Sequence, residues 1–378
     1  MKTWDAPHEV AERSKLLAGL AGLVPDTQRR ALVLDRNGDF PGEDLGFLRA
    51  LGALAAPVPV ALGGLGMGTE PAGAFDLMEA LRLIGRGSLS VGRLYEAHVN
   101  ALSLVVRYGT GGQARSAAED ASAGHLFGLW VTDLPDAPLR LTADCFLHGA
   151  KFPCSGAGHA TRALVTALLP SGESRMLVIG LAPGEGADPF GWDAHGMRAT
   201  GSGRMNLDGI RAGAEALVGG PGDYLRQPVF SAGAWRTSAV TLGGLEALVA
   251  EMRSQLVARG RERDPHQRAR LGEALIAQET ARLWVWRAAQ LGEAEGGDVQ
   301  DIANTVNLAR IAVEAACLEA IRIVQRSLGL AAFRRGGLAE LLLRDLGVYL
   351  RQPAPDETLT EAAAHFIQRD LPAGPRWA

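Results

Sequence analysis

The chain has 378 residues and 39.8 kDa, with 47% apolar, 21% charged and 6% aromatic residues and a formal charge of −4 at pH 7. So much apolar material with so little net charge excludes disorder for the bulk, and the length allows about two or three domains, or one large one, around a sizeable core. A slightly acidic chain has no cationic field for a phosphate backbone, so nucleic acid is not an expected partner and small molecules are.

The segment Met1 to Val10 carries Asp5 and Glu9 and lacks a basic start followed by an apolar stretch. No run of about eighteen apolar residues follows, so neither export nor membrane spanning is expected. Cys145, Cys154 and Cys317 are odd in number and widely spaced, which fits reduced thiols and a cytoplasmic location.

From about Ser14 to Ala118 the sequence is rich in Leu and Ala. Leu77, Leu81 and Ile84, then Leu94, His98, Ala101, Leu102 and Val105, recur at three- and four-residue steps, which predicts helices. Pro57 to Pro59 and Gly63-Gly64-Leu65-Gly66-Met67-Gly68 interrupt them. The glycines lack both G-x-G-x-x-G spacing and a Gly-Lys-Ser/Thr ending, so they are expected to form a turn and not a phosphate loop.

Near Leu126 the pattern changes to short apolar runs: Gly128 to Thr132, Leu139 to Thr142, Cys145 to His148 and Met176 to Leu181. Asp, Pro and Gly separate them every eight to twelve residues or so until about Asp208, which predicts a small antiparallel barrel or sandwich. Beyond Gly219 to Gly222 helical spacing returns, in Leu242, Leu245, Val249, Met252 and Leu256, in Leu271 and Leu275, and in Leu283 and Trp286. Ile302, Val306, Ala309, Val313, Ala316, Ala320 and Val324 then mark one long two-faced helix. Asp298 is its expected cap, Asp301 adds negative charge to its first turn, and Gly329 is its expected stop. The expected architecture is therefore α+β and multidomain: a helical N-terminal domain over 1–123, a middle antiparallel β-barrel or sandwich over 124–218, and a C-terminal helix bundle over 219–378. Eight histidines show neither H-x-x-x-H nor H-E-x-x-H spacing, so no metal site is expected.

Five strings in order carry a further reading. They are Tyr108-Gly109-Thr110 with Gln113; Leu129-Trp130-Val131-Thr132-Asp133; Leu147 to Ala157, including Ser155; Trp192 to Gly203; and Val324-Gln325 with Gly329, followed by Arg344-Asp345. Together they resemble the acyl-CoA dehydrogenase family of flavoproteins, over roughly residues 40 to 365. The resemblance implies a four-helix C-terminal bundle and a bound FAD between the β domain and that bundle, with the adenine end reaching a neighbouring subunit of a homo-oligomer, expected to be a tetramer. Thr132 and Ser155 occupy the family's ring-contacting positions, and Trp130 lies in the same cofactor-binding string. Donors there suit the charge that a flavin ring gains on reduction. Gln325 and Gly329 match the contact to the partner's FAD, and Arg261, among Arg259, Arg261 and Arg263, stands where the family places an arginine for the partner's pyrophosphate.

The implied activity is FAD-dependent oxidation of the CH-CH group of an acyl thioester or related small molecule. Yet the family's glutamate base, about nine residues beyond Arg344-Asp345, falls on Pro353, which has no group to accept a proton. The alternative position on the first bundle helix reads Trp235-Arg236-Thr237, and Asp356 and Glu357 stand three or four residues off, as expected of solvated acids. The loop Asp133 to Pro138 lacks the Gly-Ser-Asp that helps hold FAD and thioester. A further branch of the fold uses reduced flavin to activate oxygen and often places a histidine on the N-terminal helices. His98 lies in a comparable helix and is the candidate catalytic acid or base; the alternative is a histidine packed on a helix face and bonded to a carbonyl. The alternatives to dehydrogenation are accordingly a flavin monooxygenase or oxidase, or a degenerate homologue that keeps FAD without chemistry.

Overall fold

The computed structural model describes residues 7–188 and 191–372. Helices α1 (Pro7–Asn37), α2 (Gly42–Ala50), α3 (Ala74–Gly87), α4 (Leu89–Tyr108) and α5 (Gly111–Ser122) come first. Gly63 to Gly68 form turns between α2 and α3, as the missing phosphate-loop spacing predicts. Helix α4 starts where Ser88 accepts from the Val91 N–H, and it is buried along most of its length. The Thr110 and Gln113 string is a capping box on α5: Thr110 accepts from the Gln113 N–H, and the Gln113 side chain closes back onto Thr110 N. Gln113 Nε2 also donates to the carbonyls of Glu215 and Leu217, at 2.8 and 2.9 Å, which ties α5 to the end of the β region.

Among the described residues nine strands follow: β1 (Phe127–Trp130), β2 (Arg140–Leu141), β3 (Leu147–His148), β4 (Ala150–Cys154), β5 (Arg162–Leu168), β6 (Ser174–Gly180), β7 (Ala187–Asp188), β8 (Gly203–Asn206) and β9 (Leu217–Val218). They make a six-stranded sheet, β3-β2-β5-β6-β9 with β1 also on β5, and a three-stranded sheet, β4-β8-β7. Most pairs are antiparallel, but β1 and β2 run parallel to β5. The purely antiparallel expectation is refined there, because the long excursion through β2, β3 and β4 lets the chain return in the same direction. Central β5 is buried at Ala163 to Ala167 on both faces, so it reads as a continuous apolar run without alternation.

After α6 (Val229–Ala232), four helices form the expected bundle: α7 (Ala234–Ala258), α8 (Pro265–Gly292), α9 (Val299–Leu328) and α10 (Leu338–Tyr349), with α11 (Pro355–Phe366) laid on α9. Helix α7 is buried nearly all round from Trp235 to Val249 and is the bundle's central member. Helix α9 begins as predicted, with Asp298 accepting from the Gln300 and Asp301 N–H groups, and ends at Gly329 with φ of 59°. Its apolar stripe, Ile302 to Val324, is buried, and each such Val or Ile contributes about 1.5–3 kcal/mol. Helix α8 buries a stripe of small residues, Ala274, Ala277, Ala281, Ala288 and Ala289, which brings it close to α9 while Leu275, Ile276 and Leu283 face outward, 46%, 69% and 49% exposed. Among the described residues no helix is long and apolar enough to cross a membrane, and the three cysteines are free thiols.

Candidate active site

A cavity of about 790 Å³ opens where α4, the ends of β1 and β4, the segment 192–202, the start of α7, the α8–α9 loop and the end of α10 converge. Its size suits a flat polycyclic ring with a small second molecule. The wall from the β region is a chain of hydroxyls. Thr200 Oγ1 donates to the Met197 carbonyl at 2.8 Å and lies 2.7 Å from Ser202 Oγ, which donates to Ser155 Oγ at 3.4 Å. All three line the cavity. Ser155 is braced from behind, because buried Trp130 donates its Nε1–H to the Ser155 carbonyl at 2.9 Å.

Met197 anchors this chain of hydroxyls. Its backbone is left-handed, φ 56° and ψ 32°, a conformation that a non-glycine residue holds only when neighbours enforce it. The enforcing group is Asp345 on α10, whose Oδ1 accepts the Met197 N–H at 2.6 Å. Burial pushes the Asp345 carboxyl up to about 7. Arg344 donates to the His195 carbonyl at 2.9 Å and pairs with Asp35 of α1. Between them, a Cβ on Gly196 would sit 2.4 Å from the Arg344 carbonyl oxygen, so only glycine lets the segment lie against α10.

The opposite side is charged and buried. On α4, Arg93, Glu96, Asn100, Ser103 and Arg107 follow at steps of three and four and all line the cavity. Glu96 is bonded by Arg93, by Asn100 Nδ2 and by Thr237 Oγ1, the last at 3.2 Å. From α7, Arg236 donates to Asn100 Oδ1 at 2.6 Å and pairs with Glu293, which also accepts Trp235 Nε1–H at 3.0 Å. Tyr349 closes this side from α10 with a buried hydroxyl beside Thr237. Burial, reinforced by Glu96, pushes that phenol well above its ordinary value, so it is a neutral donor at any working pH. The two places where a base was sought thus hold Arg236, already paired, and Pro353, whose carbonyl accepts from Arg310 at 3.0 Å. Asp356 and Glu357 are exposed in the first turn of α11.

Of the residues singled out in the sequence, the structure brings Ser155 to the cavity wall and Trp130 directly behind it. Thr132 is exposed just past β1, its carbonyl accepting from Phe152 N at 3.1 Å; its neighbours Leu129 and Val131 line the cavity. Next to it, buried Lys151 fixes the shortened loop by bonding Asp133 at 2.7 Å and the Val131 carbonyl at 3.2 Å. His98 departs from its expected catalytic role. It is fully buried, its Nε2 bonds the Leu54 carbonyl at 2.8 Å and its Nδ1 accepts the Phe127 N–H at 3.1 Å. With both nitrogens occupied and burial lowering it to about 4, His98 is a neutral packing residue behind β1. Arg261, Gln325 and Gly329 gather at the far end of the bundle, none of them on the cavity. Arg261 pairs with Asp264 at 2.7 Å, and Arg259 donates to the Leu328 carbonyl. The residues that sequence reading missed are Glu96, Asn100, Thr237, Glu293 and Tyr349. The polar stripe on α4, out of phase with His98, was the available signal. Asp298, Asp301 and His365 cluster within 4.8 Å, but capping of α9, a 2.7 Å bond from His365 to Asp301, and Arg369 nearby account for their charges.

No protein-family model matches the chain. It is 27% identical over 294 residues to an L-evernosamine nitrososynthase from a Micromonospora strain, a match covering 71% of this chain and 66%, just under two thirds, of that protein. Among solved structures it is similar to KijD3 in complex with FMN and dTDP-3-amino-2,3,6-trideoxy-4-keto-3-methyl-D-glucose, with TM-score 0.79, 23% identity, and 98% and 96% of the two chains covered. FMN-bound TdsC from Paenibacillus sp. A11-2, a dibenzothiophene monooxygenase, gives TM-score 0.79 at 20% identity over 94% and 98%. Butyryl-CoA dehydrogenase from Megasphaera elsdenii gives 0.77 at 14% over 97% and 100%. The chain has the acyl-CoA dehydrogenase-like fold that its five strings resemble.

Proposed function

We propose that this chain is a flavin-dependent oxidoreductase acting with oxygen on a polar small molecule, and that thioester dehydrogenation, expected from the resemblance, is the weaker reading. The observation that carries this is the buried polar side of the cavity, where Arg93 with Glu96 and Arg236 with Glu293 stand in place of a lone carboxylate on an apolar acyl slot. A flavin fits the residues present. The hydroxyls of Ser155, Ser202 and Thr200 line one wall, and Arg236 Nε is a buried donor without a partner, groups suited to the carbonyl and ring-nitrogen acceptors of an isoalloxazine. A bound flavin would supply two-electron transfer and, once reduced, reaction with oxygen.

The chain's own residues do the rest. Ser155 and Ser202 hold the ring edge, Tyr349 donates a hydrogen bond to a substrate oxygen or nitrogen, and Glu96, held by three donors, orients the substrate's own donors. Pairing of Arg93 with Glu96 and of Arg236 with Glu293 balances those two charges inside the cavity, which suits a hydrogen-bonding molecule better than a bare ion. The nitrososynthase and monooxygenase likenesses support this reading. Both FMN and FAD are candidates: the FAD form requires Arg261, Gln325 and Gly329 to meet a second protomer, for which the exposed apolar face of α8 is the proposed contact.

The test is anaerobic mixing of the flavin-loaded protein with acyl-CoA thioesters of several chain lengths. The expected result is no bleaching of the visible flavin band, with rapid oxygen consumption after external reduction. Fast bleaching by any thioester overturns the reading in favour of dehydrogenation. Gln325→Ala should weaken retention of FAD and leave FMN affinity unchanged; equal loss of both removes Gln325 from any role at the adenine end.

A further inference from the structure

We infer that Asp345 is a positioning residue for the cofactor wall, acting from the bundle through Met197 on the hydroxyls that face the cavity; the inference rests on the flavin reading above. Asp345 does not line the cavity. It is buried on α10, and its single described bond to the β region is to the Met197 N–H at 2.6 Å. That bond holds the left-handed turn at Met197, whose carbonyl in turn receives Thr200 Oγ1 at 2.8 Å and Trp192 Nε1 at 3.2 Å. Thr200 Oγ1 in turn lies 2.7 Å from Ser202 Oγ, and Ser202 Oγ lies 3.4 Å from Ser155 Oγ. Three consecutive residues are gripped at once: His195 by Arg344, Gly196 by backbone contact, and Met197 by Asp345. A wall gripped this way is set before any ligand arrives, which lowers the ordering cost of binding. It also gives the Arg344-Asp345 string a role in a chain with Pro353 where the resemblance places the base: the pair serves the segment 195–197 of the β region.

Release of Met197 frees a turn that has no intrinsic preference for its conformation, so the hydroxyls lose their register while the rest of the cavity stays. The experiment titrates purified apoprotein with FMN and with FAD, following flavin fluorescence and the visible band, for wild type, Asp345→Ala, Asp345→Asn and Thr200→Ala. Asp345→Asn keeps an oxygen that accepts the Met197 N–H and should bind flavin within about threefold of wild type. Asp345→Ala should bind roughly ten- to hundredfold more weakly, the scale of losing one hydrogen bond to a charged group, with a shifted visible band. Thr200→Ala should bind about three- to tenfold more weakly and carries the test if the Asp345→Ala protein does not fold. Wild-type affinity in a folded Asp345→Ala protein, or in Thr200→Ala when that is the only folded variant, overturns the positioning role and leaves the flavin reading intact. Failure of wild type itself to bind either flavin overturns both.

Discussion

Removing Glu293 tests whether the buried charges of the cavity are paired as the geometry indicates. The side chains of Arg236 and Glu293 are only 8% and 10% exposed, so solvent screens them little. In Glu293→Ala the Arg236 guanidinium keeps the Asn100 side-chain oxygen at 2.6 Å, the Gly68 carbonyl at 3.3 Å and Ser103 Oγ at 3.5 Å, all neutral, while its Nε already lacks a partner. Breaking a buried pair from one side costs about 3–5 kcal/mol, and the remaining acceptors place this case near 3. At about 2.1 cal/mol/K per residue the whole chain unfolds with an entropy near 0.8 kcal/mol/K, so the Tm should fall by about 4 °C. Arg236→Met should cost a similar amount, and the double variant far less than the sum, leaving a coupling of about 2 kcal/mol. Urea unfolding of the four proteins, followed by circular dichroism, measures it. Additive losses within about 0.5 kcal/mol would refute the pairing, and with it the neutral polar side on which the proposed substrate class depends.

Three further outcomes follow from the same structure. His98→Ala should destabilise the protein by about 2–4 kcal/mol through a cavity and an unpaired Phe127 N–H, with flavin affinity unchanged; a folded variant that loses oxygen consumption alone would restore His98 to catalysis. Asp345 is raised to about 7, so the protonated carboxyl favours the folded state: its contribution is complete below about 4 and is lost as pH rises through about 7. The stability of wild type relative to Asp345→Asn should therefore decline between those limits by up to about 1.4 kcal/mol per pH unit and be flat above about pH 8; a constant difference from pH 5 to 8 contradicts the burial argument. Ile276→Glu, on the exposed face of α8, should lower the sedimentation mass of any oligomer built on that face, and an unchanged multimer places the contact elsewhere.

The order of helical, sheet and helical parts was legible because each segment keeps one period. Long stripes such as Ile302 to Val324 step by three and four, and Asp298 and Gly329 punctuate their helix as caps do. The direction of β1 and β2 against β5 was not legible, since strand direction is fixed by where connections run and not by side-chain period. The string that carries Ser155 brings it to the cavity wall, whereas Trp130, expected among the cofactor-binding residues, stands behind that wall and braces it. His98 stood between two readings because a histidine at helical spacing looks the same whether it faces a cavity or a neighbouring strand; the acceptor at Leu54 and the donor at Phe127, 44 and 29 residues away, give the packed arrangement. Glu96 and Tyr349 were overlooked for the converse reason, as each becomes chemical only when α4, α7 and α10 meet.

Loss of the base and gain of the charge pairs belong to one change of design. A dehydrogenase of this fold needs one carboxylate poised beside an apolar acyl chain, free to take a proton. Such a group is costly to bury and is supported only by its substrate. Here the carboxylates of Glu96 and Glu293 are each bound by an arginine and by further donors, so the cavity bears its charge without a ligand and neither acid is free to move toward one. The proposed flavin wall involves neither acid, and its hydroxyls are held by one another and by the α10 grip on Met197. On the proposed reading, a wall that sets a ring beside acids that are fixed separates cofactor binding from proton abstraction. Chemistry that draws its reactivity from the cofactor and oxygen tolerates that separation, and α,β-dehydrogenation does not.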